Sequence, residues 1–281
     1  MSDMEVRVDD RQEENEDSLR VNSVVEQDRR AYSAPALEKG LDILEALCLS
    51  EKPLSQKDIA QKLGRSIGEI YRMLSCLTDR NYITQVDDNC YVLTTKLYEL
   101  VHRNPPTHRL LQEATSIMQR LSGELDQSCH LTVWAQGKQV VVYKVDSPSG
   151  MGFSVRIGAE LDALVSASGR VLIAFQDKET SRLRVEEARR HRPDQYDPQL
   201  ESVLAGIRKT GFESVPSVQV RGLYAISFPI FDAQGHALAA LTVPFAERID
   251  LVRRKSIPEV TAILAQAART LSARMGGMVS S

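Results

Sequence analysis

Side chains suited to contacting DNA are concentrated in residues 54–83. Glu69 carries a carboxylate that can accept a hydrogen bond from the N4 amino group of cytosine, and Arg72 carries a guanidinium that can reach a guanine or a phosphate. Both residues also have structural alternatives, because Glu69 can cap a helix and Arg72 can pair with it three residues along. Tyr71 fits a core position as well as a DNA contact. If these side chains contact DNA, this stretch must form a helix with one exposed polar face.

The same stretch has the pattern of two short helices followed by a hairpin. Ser55 and Ser66 are suitable N-caps, and Gly64 suits the turn between the two helices. In the second helix an apolar stripe is predicted to be buried: Ile67, Ile70, Leu74 and Leu77. Two β-prone runs within 82–93, separated by the turn sequence at 86–89, predict a hairpin.

A helix pair joined by a glycine also occurs in ordinary helical cores, but the hairpin after it is typical of a winged helix-turn-helix. In this arrangement the first helical positions suit phosphate contacts and the wing tip suits the minor groove. The predicted DNA-contacting residues are Gln56, Lys57, Arg65, Ser66, Gly68, Glu69, Tyr71, Arg72 and Asn89.

Catalytic and metal-binding arrangements are not recognisable in the sequence. The histidines lie apart from any Ser or Cys motif, so no nucleophile, base and orienting group can be assembled from them. The cysteines are widely spaced and form no CxxC pair, which argues against disulfides and zinc. We therefore predict no metal and no cofactor. These residues are His102, His108, His130, His191 and His236, and Cys48, Cys76, Cys90 and Cys129.

The charge is unevenly distributed along the 281 residues, although the net charge is only -3. Residues 1–33 are acidic and poor in large apolar side chains, so we predict a disordered tail. The helix-turn-helix stretch carries more bases than acids, as phosphate contacts require. The acidic start is unlike a secretory signal, and no apolar run approaches the ~20 residues of a membrane span. A cytoplasmic protein without membrane contact is expected.

The second half of the chain predicts a mixed α+β domain. We predict a winged helix-turn-helix domain over 34–103, a linker helix over 104–126 and a C-terminal domain over 127–281. Within that last domain the patterns predict strands over 130–134, 139–145, 152–157, 219–231 and 237–244 and helices over 166–175, 177–191, 198–209 and 256–275.

From about Ala34 to Met275 the chain resembles the IclR-type bacterial transcription regulators. The motifs that carry the resemblance are LEKGLDILEAL, IAQKLG, IYRML, IGAEL, SASGRVLIAF, RKTGFES and RGLYAISFPIFDAQGHALAALTV, in this order. The resemblance implies a winged helix-turn-helix joined to a GAF-like effector domain with a mixed or antiparallel sheet and flanking helices. It also implies dimers or tetramers on operator DNA that respond to small organic acids or aromatic catabolites.

A candidate effector pocket lies around the SASG run at 166–169. A helix that begins there would offer free N–H groups to an anion, and small residues would let a ligand approach the backbone. The alternative is a small-residue helix start packed on the sheet. His130 and Trp134 are interpreted as core or interface residues. With strand positions supplied by the resemblance, the predicted pocket residues are Met151, Leu161, Ala167, Ser168, Leu223, Ala225 and Thr242.

Three functional classes follow from these patterns. The favoured one is a DNA-binding regulator that senses a small organic or aromatic acid. The alternatives are a ligand-independent DNA-organising protein and, less favoured, an enzyme built on the C-terminal domain. Because one winged helix reads few base pairs, a homodimer or homotetramer on double-stranded operator DNA is expected. Apolar stripes over 37–48 and 110–125 are candidates for pairing.

Overall fold

The structure is a computed structural model that describes residues 34–86, 89–103, 105–192, 197–247 and 255–277. The acidic tail over 1–33 and the wing residues Asp87 and Asp88 lie outside the described residues. The chain divides into two compact units between Arg103 and Asn104.

The first unit has the helix-turn-helix arrangement that the sequence predicts. Ser55 and Asp58 form one capping box and Ser66 and Glu69 form another, so both helix starts are confirmed. Gly64 joins the helices with a φ of +62°. The elements are α1 (Pro35–Cys48), β1 (Leu54–Ser55), α2 (Gln56–Lys62), α3 (Ile67–Asp79), β2 (Ile83–Val86), β3 (Cys90–Leu93) and α4 (Lys96–Arg103).

The wing is a three-stranded antiparallel sheet in the order β1-β3-β2. The predicted hairpin is confirmed, with Val86 opposite Cys90. Asn89 has a φ of 59°, as a residue that closes a short hairpin loop often does. The sequence did not predict β1, because two residues are too short to show a strand period; Leu54 pairs with Tyr91.

The core of the first unit corrects part of the predicted helix stripes. Ile70 and Leu74 are buried. Ile67 is 47% exposed because it is the first residue of α3, one turn before Ile70. In α1 the buried residues are Ile43 and Leu47. The 37–48 stripe considered for pairing is exposed at Leu37, Leu41 and Cys48.

The second unit is a six-stranded antiparallel sheet with helices on both faces, in the strand order β6-β5-β4-β9-β8-β7. The predicted α+β class is confirmed. The elements are α5 (Pro105–Leu125), β4 (Cys129–Ala135), β5 (Lys138–Val145), β6 (Glu160–Leu161), α6 (Ala167–Ala174), α7 (Lys178–His191), α8 (Leu200–Thr210), β7 (Glu213–Pro216), β8 (Leu223–Phe231), β9 (Ala237–Ala246) and α9 (Ile257–Arg274).

Alternation along β9 separates the two faces of this sheet. Leu241 and Val243 pack in the core formed with α5 and α9, whereas Ala240 belongs to the core formed with α6 and α8. Thr242 therefore points to the α6 face. The apolar stripe of α5 is buried within this unit, so it offers no free area for pairing, contrary to our expectation for 110–125.

Two strand predictions in the second unit were wrong. Residues 152–157 form no strand, and the edge of the sheet is instead the two-residue β6, which pairs with Gln139 and Val140. The strand predicted to begin at Gln219 begins at Leu223, after Gly222 with a φ of +79°. The short strand β7 was missed because its sequence, ESVP, is polar and ends in proline.

Candidate DNA-binding surface and effector cavity

The exposed face of α3 and its N-cap Ser66 carry five of the nine residues predicted to contact DNA. α3 begins at a capping box, so its first turn and the residues that follow it are held in one fixed orientation. Exposed bases surround the helix pair and give it a locally positive surface: Lys52, Lys57, Lys62, Arg72 and Arg80. The predicted contacts that the structure leaves exposed are Lys57, Ser66, Gly68, Glu69, Tyr71, Arg72 and Asn89.

The carboxylate of Glu69 is engaged within the protein. Its Oε2 accepts hydrogen bonds from the backbone N–H (3.0 Å) and the hydroxyl (2.9 Å) of Ser66, and its Oε1 accepts one from Lys39 at 3.2 Å. The backbone and hydroxyl bonds from Ser66, followed by Lys39, lower the pKa of Glu69 to about 2. Of the two roles considered for Glu69, the structure therefore shows the capping role.

Gln56 and Arg65 are also tied to their own unit. The Gln56 amide donates to the Tyr91 hydroxyl at 3.0 Å, which links α2 to the wing. Arg65 lies 2.9 Å from the Asp42 carboxylate, linking the turn to α1. Both side chains are half-buried, so their first role is to hold the elements that present the exposed residues.

A cavity of about 110 Å³ lies in the second unit, at the N-terminus of α6 and against β8 and β9. Residues 215–220, which sequence analysis did not assign to the pocket, form another wall. The structure brings six of the seven predicted pocket residues to this lining: Leu161, Ala167, Ser168, Leu223, Ala225 and Thr242.

Met151 is the exception among the predicted pocket residues. Its side chain is 56% exposed and does not line the cavity. The residue lies between Gly150 and Gly152, whose φ angles of +70° and +149° turn the chain there instead of continuing a strand toward the pocket. Met151 is therefore not part of this lining, which Phe153 and Val155 reach instead.

The N-terminus of α6 is fixed by polar contacts. Ser166 accepts a hydrogen bond from the Gly169 N–H at 3.2 Å and donates to the Asp162 carbonyl at 2.5 Å. The buried Gln139 amide donates to the Ser166 hydroxyl. Gly169 lies directly on the backbone of Ala163: a Cβ at this position would lie 2.7 Å from the Ala163 carbonyl carbon and closer still to its Cα and O. The glycine of the SASG run thus lets the start of α6 pack closely against Ala163, and Ala167 and Ser168 of the same run line the cavity.

His130 is a lining residue that sequence analysis assigned to the core or an interface. It lies opposite Thr242 in the β4–β9 pair, is only 5% exposed and lines the cavity. Burial lowers its pKa to about 4, so the imidazole is neutral at pH 7. Thr242 itself shares a 2.9 Å hydrogen bond with Ser227 on β8. Trp134, four residues further along β4, packs against the core formed with α6 and α8 and donates to Glu187 at 3.2 Å.

A buried ion pair joins α6 to the edge strand β7. Arg170 makes two contacts to the Glu213 carboxylate, at 2.9 Å and 3.1 Å, and Glu213 is only 4% exposed. Burial raises the pKa of Glu213 to about 7, against the lowering effect of Arg170. The pair anchors the helix whose first turn borders the cavity.

Both units match family models along most of their length. Residues 36–87 match the IclR helix-turn-helix domain, and residues 106–273 match the C-terminal domain of the bacterial transcriptional regulator IclR. The chain belongs to the IclR family. It is therefore a transcription regulator with an N-terminal DNA-binding helix-turn-helix and a C-terminal ligand-binding domain.

Curated relatives within the IclR family align over most of the chain. The transcriptional regulator KdgR of Escherichia coli is 28% identical over 89% of this chain and 95% of its own length. The Pca regulon regulatory protein of Pseudomonas putida is 26% identical over 74% of this chain and 73% of its own length.

Solved structures show the same architecture. HmgR of Pseudomonas aeruginosa has a TM-score of 0.69 at 26% identity, covering 86% of this chain and all of that one (100%). An IclR homologue of Microbacterium hydrocarbonoxydans, complexed with 4-hydroxybenzoate, has a TM-score of 0.69 at 19% identity and covers 85% and 98% of the two chains. At 19% identity, the similarity to the Microbacterium structure supports the fold of this chain.

Two further findings concern metals and membranes. In the part of the chain that the structure describes, no group of three or more His, Cys, Asp or Glu side chains is placed to hold a metal ion. Within the same described ranges, no helix combines the length and apolar character that crossing a membrane requires.

Proposed function

We propose that this IclR-family regulator senses a small organic acid whose carboxylate lies at the N-terminus of α6. The observation that carries the proposal is the cavity of about 110 Å³, which has Ala167 and Ser168 at its polar end. Its walls are mainly apolar, with Leu161, Leu223 and Ala225 among them, and they suit a hydrocarbon or aromatic body. An engineered protein cavity of ~150 Å³ holds one benzene ring, so the effector is of single-ring size.

The names of relatives support this class of effector. One relative is a p-hydroxybenzoate hydroxylase transcriptional activator, 24% identical over 73% of this chain, and another is the Pca regulon regulatory protein. A third relative, the glycerol operon regulatory protein, is 28% identical over 88% of the chain, and its name refers to a polyol instead of an acid. The apolar walls favour an aromatic or lipophilic acid over a highly hydroxylated molecule.

The exposed face of α3 is proposed to enter the major groove of operator DNA. Gly68 and Arg72 lie one turn apart on this face, and Tyr71 lies beside them with 57% of its side chain exposed. Lys57 and Ser66 are placed for phosphate contacts at helix starts, and the wing is placed for the minor groove through Asn89. Glu69, Gln56 and Arg65 then act mainly by holding this face in position.

Operator recognition is proposed to use a homodimer or homotetramer in the cytoplasm. Two half-sites supply the specificity that one helix lacks. The exposed apolar side chains Leu37 and Leu41 of α1 are available for pairing, at 63% and 49% exposure. Light scattering with and without operator tests this proposal, and a monomer under both conditions would contradict it.

The DNA proposal is tested with two arginine variants. Arg72 lies in the first half of α3, and Arg80 is the residue that follows its last turn. If Arg72 contacts a base edge, Arg72→Ala should weaken binding to the operator by ~1–3 kcal/mol, whereas Arg80→Ala should change it much less. Fluorescence anisotropy with operator and scrambled DNA measures both. Equal losses for the two variants would contradict the assignment of Arg72.

The effector proposal is tested by thermal shift, with DNA affinity as the control measurement. Benzoate, 4-hydroxybenzoate and acetate should raise the melting temperature, whereas benzamide, which lacks the charge, should not. Ser168→Asp should abolish the shift through like-charge repulsion and leave DNA affinity intact, while the exposed Ser202→Asp on α8 should behave as wild type. The bound acid should be recovered unchanged, because we propose no catalytic role. If no carboxylate stabilises the wild-type protein, the proposed effector class is wrong.

A further inference from the structure

We propose that His130 is the specificity-determining contact for the effector's carboxylate, and that its imidazole takes up one proton when the anion binds. This inference rests on the proposed function and deepens it, because it names the group that balances the ligand's charge.

His130 is a buried polar side chain that faces the cavity without satisfying its own hydrogen bonds. The residue is 5% exposed and lines the cavity opposite Thr242. Among the described residues, no hydrogen-bond partner is found for either ring nitrogen, whereas Thr242 is already bonded to Ser227. Buried polar groups in native proteins almost always have a partner. A ligand atom in the cavity would supply the missing one.

Among the lining residues that the structure describes, one side chain can change its charge. Of the described lining residues only His130 is ionisable, and the others are apolar, hydroxyl or amide side chains. A carboxylate brought into this space would be costly to bury without a compensating charge. The N-terminus of α6 supplies a partial positive charge, and a protonated His130 supplies the remainder.

Three charged side chains near His130, on β5, α6 and β7, are already paired: Lys144, Arg170 and Glu213. On β5, Lys144 lies opposite His130 in register, but its ammonium contacts the Asp146 carboxylate at 2.9 Å. On α6 and β7, Arg170 and Glu213 form the buried ion pair. The remaining lining positions of β8 and β9 carry no charge: Leu223, Ala225, Thr242 and Pro244. None of these elements therefore offers an unpaired cation to the cavity.

The proposed step takes up one proton for each anion that binds. In the free protein the pKa of His130 is about 4, so the ring is neutral at pH 6–7 while a carboxylate ligand is ionised. Binding brings the anion and one proton from solvent into the site, where the proton joins the free ring nitrogen and forms an imidazolium–carboxylate pair. The bound pKa is then higher than the free pKa. Between these two values, affinity falls by up to tenfold for each unit of rising pH.

Calorimetric titration of the full chain with benzoate tests the proposal. Titrations at pH 6.5 in phosphate and in Bis-Tris, which have different ionisation enthalpies, give the number of protons taken up, and we expect close to one. This readout needs no variant. A pH series from 5.5 to 7.5 should show affinity for benzoate decreasing as pH rises, with 4-hydroxybenzoate as a second probe.

Variants separate His130 from its neighbours. His130→Gln keeps an amide donor but cannot take up a proton, so residual benzoate binding should be weaker at pH 5.5, independent of pH and without proton uptake. Lys144→Gln removes the nearest charge on β5 and should retain both the proton uptake and the pH dependence. Thermal unfolding of each variant without ligand checks that it folds.

The outcomes distinguish the two proposals. Benzoate binding without proton uptake, or proton uptake that persists in His130→Gln, would overturn the role of His130 and leave the effector class intact. If proton uptake is lost in Lys144→Gln instead, Lys144 is the responsible group and the inference is wrong. If no carboxylate binds at all, both proposals fail.

Discussion

Gly169 sets the distance between α6 and the loop that precedes it, so Gly169→Ala is the most direct perturbation of the cavity. A Cβ at this position would lie 2.7 Å from the Ala163 carbonyl carbon, where ordinary contacts are 3.4 Å or more. The obstructing atoms are backbone, so no side-chain rotation can relieve the overlap. Either α6 or the segment at Ala163 must move by several tenths of an ångström.

Two opposing terms decide the magnitude of the effect. Inside a helix, alanine is favoured over glycine by roughly 0.5–1 kcal/mol. Overpacking a buried site typically costs about 1–3 kcal/mol, and Gly169 is fully buried against backbone. We therefore expect a net destabilisation of about 1–2 kcal/mol. Because α6 begins at the cavity, benzoate affinity should fall as well.

Gly206→Ala is the matched control for this change. Gly206 lies in α8, and a Cβ there would meet no atom within 4 Å. The same substitution should therefore stabilise the protein by up to about 1 kcal/mol and leave ligand affinity unchanged. Urea denaturation of both variants, together with calorimetry, measures the difference. If the two variants shift stability in the same direction, the close approach at Gly169 does not constrain the helix and the reasoning is refuted.

Three further predictions concern buried charge and helix capping. Arg170→Met should destabilise the protein by about 1–3 kcal/mol at pH 8, where Glu213 loses its partner and must stay buried and charged or take up a proton, and by less at pH 5, where Glu213 is protonated in both proteins; urea denaturation at both pH values checks this. The native pKa of His130 is lower than its unfolded value, so its contribution is complete above pH 6.5 and falls by about 3 kcal/mol as the pH drops to 4; His130→Gln should reduce this acid loss, measured by melting temperature against pH. Ser66→Ala should cost ~1 kcal/mol through the lost cap of α3 in thermal unfolding, and Ser202→Ala on an exposed helix position should cost much less.

Local patterns were enough to predict the elements that position the DNA-binding face. The capping boxes at Ser55 and Ser66 mark their own helix starts, and Gly64 marks the turn, because each depends on residues within four positions. Strands of two to four residues were harder to predict from the sequence. β1 and β6 each span two residues, too few to show alternation, and both exist because an edge partner was available.

The exposed residues of α1 and α3 show a second limit of the sequence pattern. Leu37 and Leu41 have helical spacing like that of buried residues, yet the core of their unit uses Ile43 and Leu47. A period identifies an apolar face without saying which partner covers it. Arg65 and Glu69 illustrate the same limit for charges, because their partners Asp42 and Lys39 belong to α1, far away in sequence.

The proposed effector cavity has one part that local sequence predicts and one part that depends on contacts distant in sequence. Its polar end was predictable, because SASG is one continuous run whose helix cap is local and whose glycine allows close packing. His130 was not predictable as a lining residue, because its role depends on β4 lying beside β9, with His130 opposite Thr242. From sequence alone, a single histidine in a β-strand is compatible with an ordinary core position. Once the strand order places it at the cavity, its burial without a hydrogen-bond partner among the residues that the structure describes distinguishes it from a core residue and makes it the group whose protonation a bound acid should change.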